Sequence, residues 1–357
     1  MENCTQTSDN CTGIPSSVSK IPLVAVYSIV FAIGLPANCL TSLLTFQQIR
    51  KNKVIAVYLF SLSLCELMYL STLPLWIIYV NNKHRWTMGE NTCKVTGFIF
   101  FCNIYISILL LCCISVDRYV AVVYALESRG KRGQKKAFAI VSCVFAVVAI
   151  IYSPTFYMED NNTDKICFET LPLNIKLASL NFARFLFGFA IPFTILIFTN
   201  YKIFQSTKTS SSLTSRQKAK VKYLAIAIIV IFLICFAPYH VVLLIRSTYF
   251  LLHQNSSCPF EREIYTTFTV FLCLVTANSI ADPIIYVLVS ENIRKDFCRT
   301  LRRWRLNSSI NQKTDSIKLK MSKESQEGGL REENKETPHS SDIEKTCSSG
   351  KDQEGGS

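Results

Sequence analysis

Two short motifs place charged side chains inside apolar stretches of the chain. An Asp-Arg-Tyr sequence at 117–119 closes an apolar run that begins near Lys94, and an Asp-Pro-Ile-Ile-Tyr sequence at 282–286 closes the last apolar run. Ionisable groups at bilayer depth cost free energy and are usually retained for function. An adjacent acid and guanidinium can neutralise each other, and the cation becomes available to another partner when they separate.

The elements that carry these motifs are predicted to be membrane helices. Half of the 357 residues are apolar and 18% are charged, which is typical of a polytopic membrane protein. A span needs about 20 apolar residues, and backbone groups in lipid must be hydrogen-bonded within the segment. Short alternating segments typical of a β-barrel are absent from the sequence. We predict an all-α membrane protein, a seven-transmembrane helix bundle, with spans at 21–46, 54–80, 94–123, 137–157, 177–201, 223–251 and 264–289.

The bundle, residues 21–289, is flanked by polar segments. Residues 1–20 are a predicted N-terminal tail without a removable signal peptide, so the first span serves as the insertion signal. Residues 290–305 are basic with an apolar face, which predicts a short amphipathic helix on the membrane surface. Its Cys298 is a candidate for palmitoylation, the alternative being an unmodified thiol. Residues 306–357 are polar and are predicted to form a disordered tail.

Basic residues predict the orientation of the bundle. Lys and Arg cluster after spans one, three, five and seven, with a basic loop extending from Lys202 to Lys222, whereas the other side has few basic residues, Arg262 among them. The positive-inside rule then places the N-terminus outside, and it explains the net charge of +13 without a nucleic-acid partner. The glycosylation sequons on the predicted outside are Asn3, Asn10, Asn161 and Asn255.

Cysteines on the predicted outside face an oxidising environment, where disulfides are expected. Cys93 at the start of span three and Cys167 in the next outer loop are the expected pair. Cys258 is expected to be tied to Cys4 or Cys11, which leaves one thiol over. Most other cysteines lie within spans and are interpreted as small buried hydrophobes.

The ordered set of motifs resembles the rhodopsin-like G-protein-coupled receptors over about residues 20–305. It comprises Asn38 in span one, Cys93 with Cys167, Asp-Arg-Tyr at 117–119, Cys-Phe-Ala-Pro at 235–238 and the motif at 282–286. The resemblance implies a plasma-membrane receptor that couples to heterotrimeric G proteins and whose C-terminal tail binds receptor kinases and arrestin. The residues that it implicates in coupling and activation are Asp117, Arg118, Tyr119, Phe236, Pro238, Asp282, Pro283 and Tyr286.

Several segments are similar to the proton-sensing subgroup of that family. These are 73–76, 84–87, 113–124, 188–192 and 235–240. Within the subgroup, 124–130 and 217–222 are most similar to the member linked to lysophospholipids and oxidised fatty acids. Stronger proton sensors carry a Glu in the middle of span four, whereas residues 144–149 contain no acid and the outer histidines are few. The resemblance therefore implies a weak proton sensor.

A buried polar site is predicted between spans two, three and seven. Glu66, Ser107, Asn278 and Asp282 outline it, and relatives of the family hold a sodium ion there. Two carboxyls in one buried site repel each other, so the site holds sodium when both are ionised or a shared proton when they are not. The alternative is a static hydrogen-bonded cluster.

A ligand cavity is expected to open outward between spans three, five, six and seven. Phe100 stands where amine receptors carry Asp, which disfavours a cationic amine. Arg184, eight residues before Pro192, and Arg246, eight residues after Pro238, favour an anionic head group, with snorkelling to the interface as the alternative. The residues predicted to line an acyl slot beside them are Phe98, Phe101, Tyr105, Phe182, Phe185, Tyr239 and the polar His240.

The predicted function is activation by an anionic lipid, such as an oxidised fatty acid, a lysophospholipid or an N-acyl amino acid, with protons as modulators. The alternatives are a mainly proton-sensing receptor and a channel or transporter, although the repeated halves of transporters are not visible. A retinal pigment would need a Lys in 264–289, which has none. No nucleophile–base or metal-ligand spacing predicts an enzyme, and no cofactor is expected beyond a bound sodium ion.

Overall fold

The computed structural model describes residues 20–125, 127–128, 132–157, 167, 173, 175–209, 214–253 and 258–289, apart from a few side chains. This part of the chain contains seven helices that are long and apolar enough to cross a membrane. They are α1 (Lys20–Ile49), α2 (Val54–Asn81), α3 (Glu90–Val123), α4 (Gln134–Tyr152), α5 (Ile175–Thr209), α6 (Ser215–Leu252) and α7 (Pro259–Val287). The predicted all-α, seven-span fold is confirmed.

Two helices begin well before the apolar runs that predicted them. A capping box, in which the Thr214 hydroxyl and the Gln217 side chain each accept from the other's backbone N–H, starts α6 at Ser215. The basic stretch assigned to a loop therefore lies largely on the ends of α5 and α6. The α-helical segment that contains the start of α7 likewise begins at Cys258, where a loop was expected. Apolar runs indicate only the residues that lie in the bilayer core, whereas the helices extend beyond it into water.

The third helix occupies the centre of the bundle. Of its most apolar stretch 72% is buried, against 22% for α4. It packs against α2, α4, α5 and α6. Large apolar side chains on the outer helices, such as Ile150 and Phe187, are exposed. In a bilayer these side chains contact lipid tails, so their exposure is not a cost.

Proline locally widens α5 and α6. Five-residue π-helical turns occur at Leu186–Ala190, just before Pro192, and at Phe232–Phe236, just before Pro238. Proline lacks an N–H and its ring clashes with the carbonyl one turn back, so the ladder shifts to a wider turn. In α7, a turn at Ala277 separates the α-helical segments Cys258–Thr276 and Asn278–Val289.

The predicted disulfide between Cys93 and Cys167 is confirmed, with 5.8 Å between the Cα atoms. It anchors the segment between α4 and α5 to the start of α3. Several other predictions fall outside the described residues: the N-terminal tail, the amphipathic helix, Cys298 and the C-terminal tail. The same holds for the side chain of Cys258 and for Cys4, Cys11, Asn3, Asn10, Asn161 and Asn255.

Candidate functional site

Three polar clusters lie at different depths of the bundle. We call the end of the bundle that carries the disulfide the Cys93 end and the opposite end the Arg118 end. One cluster, around Arg184, lies toward the Cys93 end. A second surrounds Glu66 between α2, α3 and α7, and a third surrounds Asp117 at the Arg118 end.

Arg184 is a half-buried cation on α5. Its guanidinium lies over the rings of Phe101, at 4.9 Å, and Tyr152, at 5.3 Å, and its Nη1 donates to Asn181 Oδ1 at 3.2 Å. Within the described part of the chain its Nε has no hydrogen-bond partner and no carboxylate lies within ion-pair distance. Cation–π contacts offset part of the desolvation cost. The side chain retains unused donors and an uncompensated charge.

Aromatic rings lie next to this cation, and we call Phe101, Tyr105 and Tyr152 the aromatic wall. Tyr152, at the end of α4, stacks on Phe101 at 5.7 Å and on Tyr105 at 5.2 Å between ring centroids. Tyr152 was not predicted to lie here, because a tyrosine near the end of a span normally indicates an interface anchor. Tyr239 lies on the α6 side, buried against Phe268 at 5.7 Å.

Other predicted wall residues lie further away. Phe185 packs on Phe189 at 5.6 Å, and Phe98 packs on Phe156 at 5.0 Å. Phe182 is half-buried and makes no ring contact with the cluster in the described region. Of the predicted slot, the structure therefore brings Phe101 directly to Arg184, and Tyr105 lies one ring further away, against Tyr152.

His240 is a packed core residue. It is fully buried, with the rings of Tyr239, Phe189 and Tyr105 at 5.0, 5.1 and 5.8 Å. Its Nδ1–H donates to the Phe236 carbonyl at 2.8 Å, one turn earlier in α6. His240 thus links the π turn of α6 to the aromatic wall.

Arg246 has an acidic partner within the protein. Its Nη2 lies 3.1 Å from Oε2 of Glu261 on α7, and its guanidinium lies 5.3 Å from the centre of the Phe268 ring. Both members of the ion pair are buried. Glu261 was not predicted to lie here because residues 258–263 precede the predicted seventh span and were expected to form a loop. The charge of Arg246, unlike that of Arg184, is compensated.

The structure brings Glu66, Ser107, Asn278 and Asp282 together. Glu66 Oε1 accepts from Ser107 Oγ at 2.8 Å and from Asn278 Nδ2 at 3.1 Å, and the same Nδ2 donates to Asp282 Oδ2 at 2.9 Å. Ser279, which was not predicted, donates to Glu66 Oε2 at 2.5 Å. The helix restarts at Asn278 after the turn at Ala277, and this turn brings Ser279 to the site.

Two acceptors of this cluster have no hydrogen-bond partner among the described residues. They are Asp282 Oδ1 and the side-chain carbonyl oxygen of Asn278, and both are buried. Unpartnered buried oxygens next to two carboxyls suit a cation or a proton. The arrangement therefore fits the sodium or shared-proton site expected from the sequence. Asn38 supports it by donating to the Ser279 carbonyl at 2.7 Å.

At the Arg118 end, one carboxylate holds two guanidiniums. Asp117 accepts from Arg118 and, at 3.1 Å, from Nε of Arg132. Arg132 belongs to the basic segment after span three and was not predicted to lie at this site. The Tyr119 hydroxyl lies 3.3 Å from that of Tyr124. The other residues predicted to act in activation lie along α6 and α7: Phe236 and Tyr286 are buried, Pro238 follows the π turn of α6, and Pro283 lies within the last segment of α7.

A cavity of about 350 Å³ lies between α2, α3 and α4. Its lining includes Met68, Phe98, Cys102, Phe145 and Ala149, and none of its lining residues carries a charge. Arg184 is not among them. This cavity offers no counter-charge and does not suit an anionic head group.

Comparisons with known proteins identify the relatives of the chain. Residues 37–286 match the family described as 7 transmembrane receptor (rhodopsin family). The chain is 50% identical to the probable G-protein coupled receptor 132 of Homo sapiens over 320 residues, which cover 89% of this chain and 83% of that protein. It is 54% identical to the Mus musculus protein of the same name over 305 residues, 82% and 79% of the two chains. It is 35% identical to the human G-protein coupled receptor 68 over 302 residues, 82% and 81% of the two chains.

Proposed function

The chain belongs to the rhodopsin family of seven-transmembrane receptors, and from this premise we propose that an anionic lipid activates it by binding Arg184. Membership in the family makes the chain a multi-pass plasma-membrane receptor and not an enzyme, and it implies a G-protein partner and a ligand. The resemblance to the proton-sensing subgroup is confirmed by the relatives. The ligand class and the roles of individual residues are the proposal.

The observation that carries the proposal is the uncompensated charge of Arg184 in an apolar setting. A cation near the bilayer centre costs about 2.5 kcal/mol or more on insertion scales, and less nearer the interface. A carboxylate or phosphate would supply two acceptors that match the planar guanidinium. The rings of Phe101, Tyr105 and Tyr152 offer an apolar surface for an acyl chain. Oxidised fatty acids, lysophospholipids and N-acyl amino acids all combine these two parts.

We propose that the Cys93 end is extracellular and that the Arg118 end faces the cytoplasm. A disulfide at the Cys93 end suits an oxidising compartment. Basic residues, among them Lys51, Lys53, Lys135 and Lys136, lie near the Arg118 end, in accord with the positive-inside rule. Opening of the bundle at this end would then let Arg118 exchange Asp117, its neighbour on α3, for a G protein. Receptor kinases and arrestin would act on the C-terminal tail.

The test of the ligand site is substitution of Arg184. Arg184→Ala should lower the potency of an N-acyl glycine agonist roughly 10- to 100-fold, because a hydrogen bond to a charged group contributes about 1.5–3 kcal/mol. Arg184→Lys should recover part of the loss, since an ammonium lacks the planar fork. The readout is a dose response of G-protein nucleotide exchange, normalised to surface expression.

Lys176→Ala is the matched control, because Lys176 is an exposed cation on the same helix. It should leave potency unchanged. Unaltered potency in Arg184→Ala would refute the anionic-lipid site.

The Glu66 cluster supports a second function, a response to protons or sodium. Glu66, Asp282, Ser107 and Asn278 would hold the ion, and a bound sodium ion would offset one of the two carboxylate charges. When a proton is shared instead, Asp282 would keep it close to Glu66. Either occupant would couple α2, α3 and α7, the helices that contribute these side chains.

A further inference from the structure

We infer that the cavity between α2, α3 and α4 is a second lipid site, which takes the hydrocarbon chain of a bilayer lipid without net charge and acts on the neighbouring Glu66 cluster. The site is separate from the anionic-lipid site proposed at Arg184, because Arg184 does not line this cavity. It would let the composition of the membrane, and not only an agonist, set the activity of the receptor.

The cavity opens toward the lipid. Met68 of α2 and Ala146 of α4 both line it, and both are exposed on the surface of the bundle. Each of the two residues lies well inside its membrane-spanning helix, so the opening faces the hydrocarbon of the bilayer. A lipid chain can therefore enter the cavity sideways from the membrane.

The lining favours an uncharged chain. Phe98, Phe145 and Ala149 contribute apolar surface, and none of the lining residues carries a charge that would hold an ionic head group. Apolar space of this kind stays dry, and an empty cavity leaves its lining atoms without dispersion contacts, which a hydrocarbon chain would supply. The volume of about 350 Å³ is near the lower end of the range of about 300–1,000 Å³ for small-molecule sites, so it suits one slender chain better than a bulky ring system.

Cys65 and Asn103 connect the cavity to the Glu66 cluster. Both line the cavity, and Asn103 Nδ2 donates to the Cys65 sulfur at 3.7 Å, from α3 to α2. Cys65 directly precedes Glu66 in the sequence, and Asn103 lies one helical turn before Ser107, which donates to Glu66. The cavity and the Glu66 cluster are therefore neighbouring sections of one contact between α2 and α3.

A bound chain should favour the arrangement of helices in which the cavity exists. In that arrangement Ser107 donates to Glu66 at 2.8 Å, and Arg118 is held by Asp117. A ligand shifts an equilibrium toward the state that it binds better, and a close-packed interior passes a change of helix spacing on to its neighbours. Occupancy should therefore stabilise the resting receptor and lower agonist-free nucleotide exchange.

The experiment uses the full-length receptor in phosphatidylcholine nanodiscs and a monoacylglycerol that carries a photoactivatable diazirine in its chain. Mass spectrometry after irradiation locates the labelled residues, and unlabelled monooleoylglycerol serves as competitor. We expect labelling at Met68 and Ala149 that the competitor suppresses. Phe187, an exposed residue of α5, reports ordinary lipid contact, and its labelling should not be suppressed in this way.

Two outcomes of the labelling would overturn the inference. Equal behaviour of Met68 and Phe187 would mean that the cavity meets ordinary bilayer lipid only. Stronger competition by cholesterol than by monooleoylglycerol would contradict the assignment to a linear chain.

Substitutions on α4 test whether the chain occupies the cavity itself. Ala146→Phe and Ala149→Phe place a ring at the opening and in the lining, and each should lower the labelling of Met68 about tenfold, because a chain would then overpack the site. Ala139→Phe is the matched control, since Ala139 is an exposed alanine of the same helix outside the lining, and it should be labelled like the wild type. Arg184→Ala should also be labelled like the wild type, so the proposed anionic-lipid site and this site can fail separately. Undiminished labelling of Met68 in both Ala146→Phe and Ala149→Phe would overturn the site.

Nucleotide exchange without agonist tests the coupling to the Glu66 cluster. Monooleoylglycerol should lower this exchange about twofold in the wild type and in Ala139→Phe, and it should have no effect in Ala146→Phe. Unchanged exchange in the wild type at lipid concentrations that saturate the labelling would overturn the coupling.

Discussion

At the residue scale, the arginines that lie wholly or partly inside this receptor differ in what neutralises them. Arg118 shares Asp117 with Arg132, and Arg246 is paired with Glu261. Arg184 has aromatic faces and an amide but no carboxylate among the described residues. A cation with a protein carboxylate has a structural partner, whereas a cation without one is suited to an external anion.

Substitution of Arg118 tests the coupling role at this scale. Arg118→Ala should reach the cell surface and yet support little nucleotide exchange, because the motif places this cation where a G protein would bind. Lys136→Ala, an exposed cation on α4, is the control and should signal normally. Nucleotide exchange at wild-type rates by Arg118→Ala would contradict the assignment.

Gly188 provides a test of packing. A Cβ at this position would lie 2.2 Å from a ring carbon of Tyr105, so Gly188→Ala must displace the ring or separate α5 from α3. Overpacking of this kind typically costs about 1–3 kcal/mol. We expect a lower thermal unfolding midpoint for the purified receptor and weaker lipid agonism, because Tyr105 belongs to the wall beside Arg184.

Gly133→Ala is the matched control for that substitution. A Cβ there meets no atom within 4 Å, and the backbone φ of −134° is open to any residue. Its unfolding midpoint should stay close to that of the wild type. Equal midpoints for the two variants would show that the α3–α5 contact is more tolerant than its geometry indicates.

At the scale of elements, the turn at Ala277 and the π turns decide which side chains of α5, α6 and α7 face one another. The restart of α7 at Asn278 brings Asn278, Ser279 and Asp282 to Glu66. Prolines produce the π turns of α5 and α6. Phe189, within the turn of α5, stacks on His240, just after the turn of α6, with 5.1 Å between the ring centroids. These are places where a helix can change shape at small cost, because the regular hydrogen-bond ladder is already interrupted.

Glu66 of α2 and Asp282 of α7 lie in one cluster, and we expect any proton response to originate there. Asp282→Asn should flatten the pH dependence of signalling more than His84→Ala or His253→Ala, because it removes one of two carboxyls that can share a proton. The His84 ring lies 5.2 Å from that of Tyr79, and the His253 ring lies 4.5 Å from that of Tyr249, between ring centroids, so each histidine packs on a tyrosine outside the Glu66 cluster. The measurement is agonist-free nucleotide exchange from pH 6 to 8.

The opposite ranking of these variants would place the sensor at the histidines. Complete loss of a sodium effect on basal exchange in Asp282→Asn, with no pH effect in the wild type, would favour sodium as the occupant of the Glu66 cluster.

At the scale of the whole bundle, a covalent link holds the segment between α4 and α5 against α3. Cys93→Ser and Cys167→Ser should each lower surface expression, and the double variant should be no worse than either single variant, because both substitutions break the same bond. Cys143→Ser, a free exposed cysteine on α4, should have no effect. Additive losses for Cys93 and Cys167 would argue against their pairing.

Much of the bundle was predictable because each membrane helix satisfies its own backbone hydrogen bonds, so apolar length alone indicates a span. The seven spans followed from the sequence in this way, whereas the pairing of Cys93 with Cys167 was expected from their placement on the predicted outer, oxidising side. The meeting of Glu66 with Asp282 was foreseen by resemblance to a family. Span ends were less accurate: the starts of α6 and α7 were placed too late, since polar residues continue a helix beyond the lipid.

Only the tertiary structure decided which charge meets which. Glu261 is an acid in a polar stretch of sequence, and its partner, fifteen residues earlier, is on a different helix. Neither Arg132 nor Tyr152 was predicted to lie at a site, and each contacts a predicted site residue. The sequence by itself determined how many helices cross the membrane and which ionisable residues they carry. Helix rotation and packing determined which of those charges are compensated, because pairing depends on the faces that the helices turn toward one another.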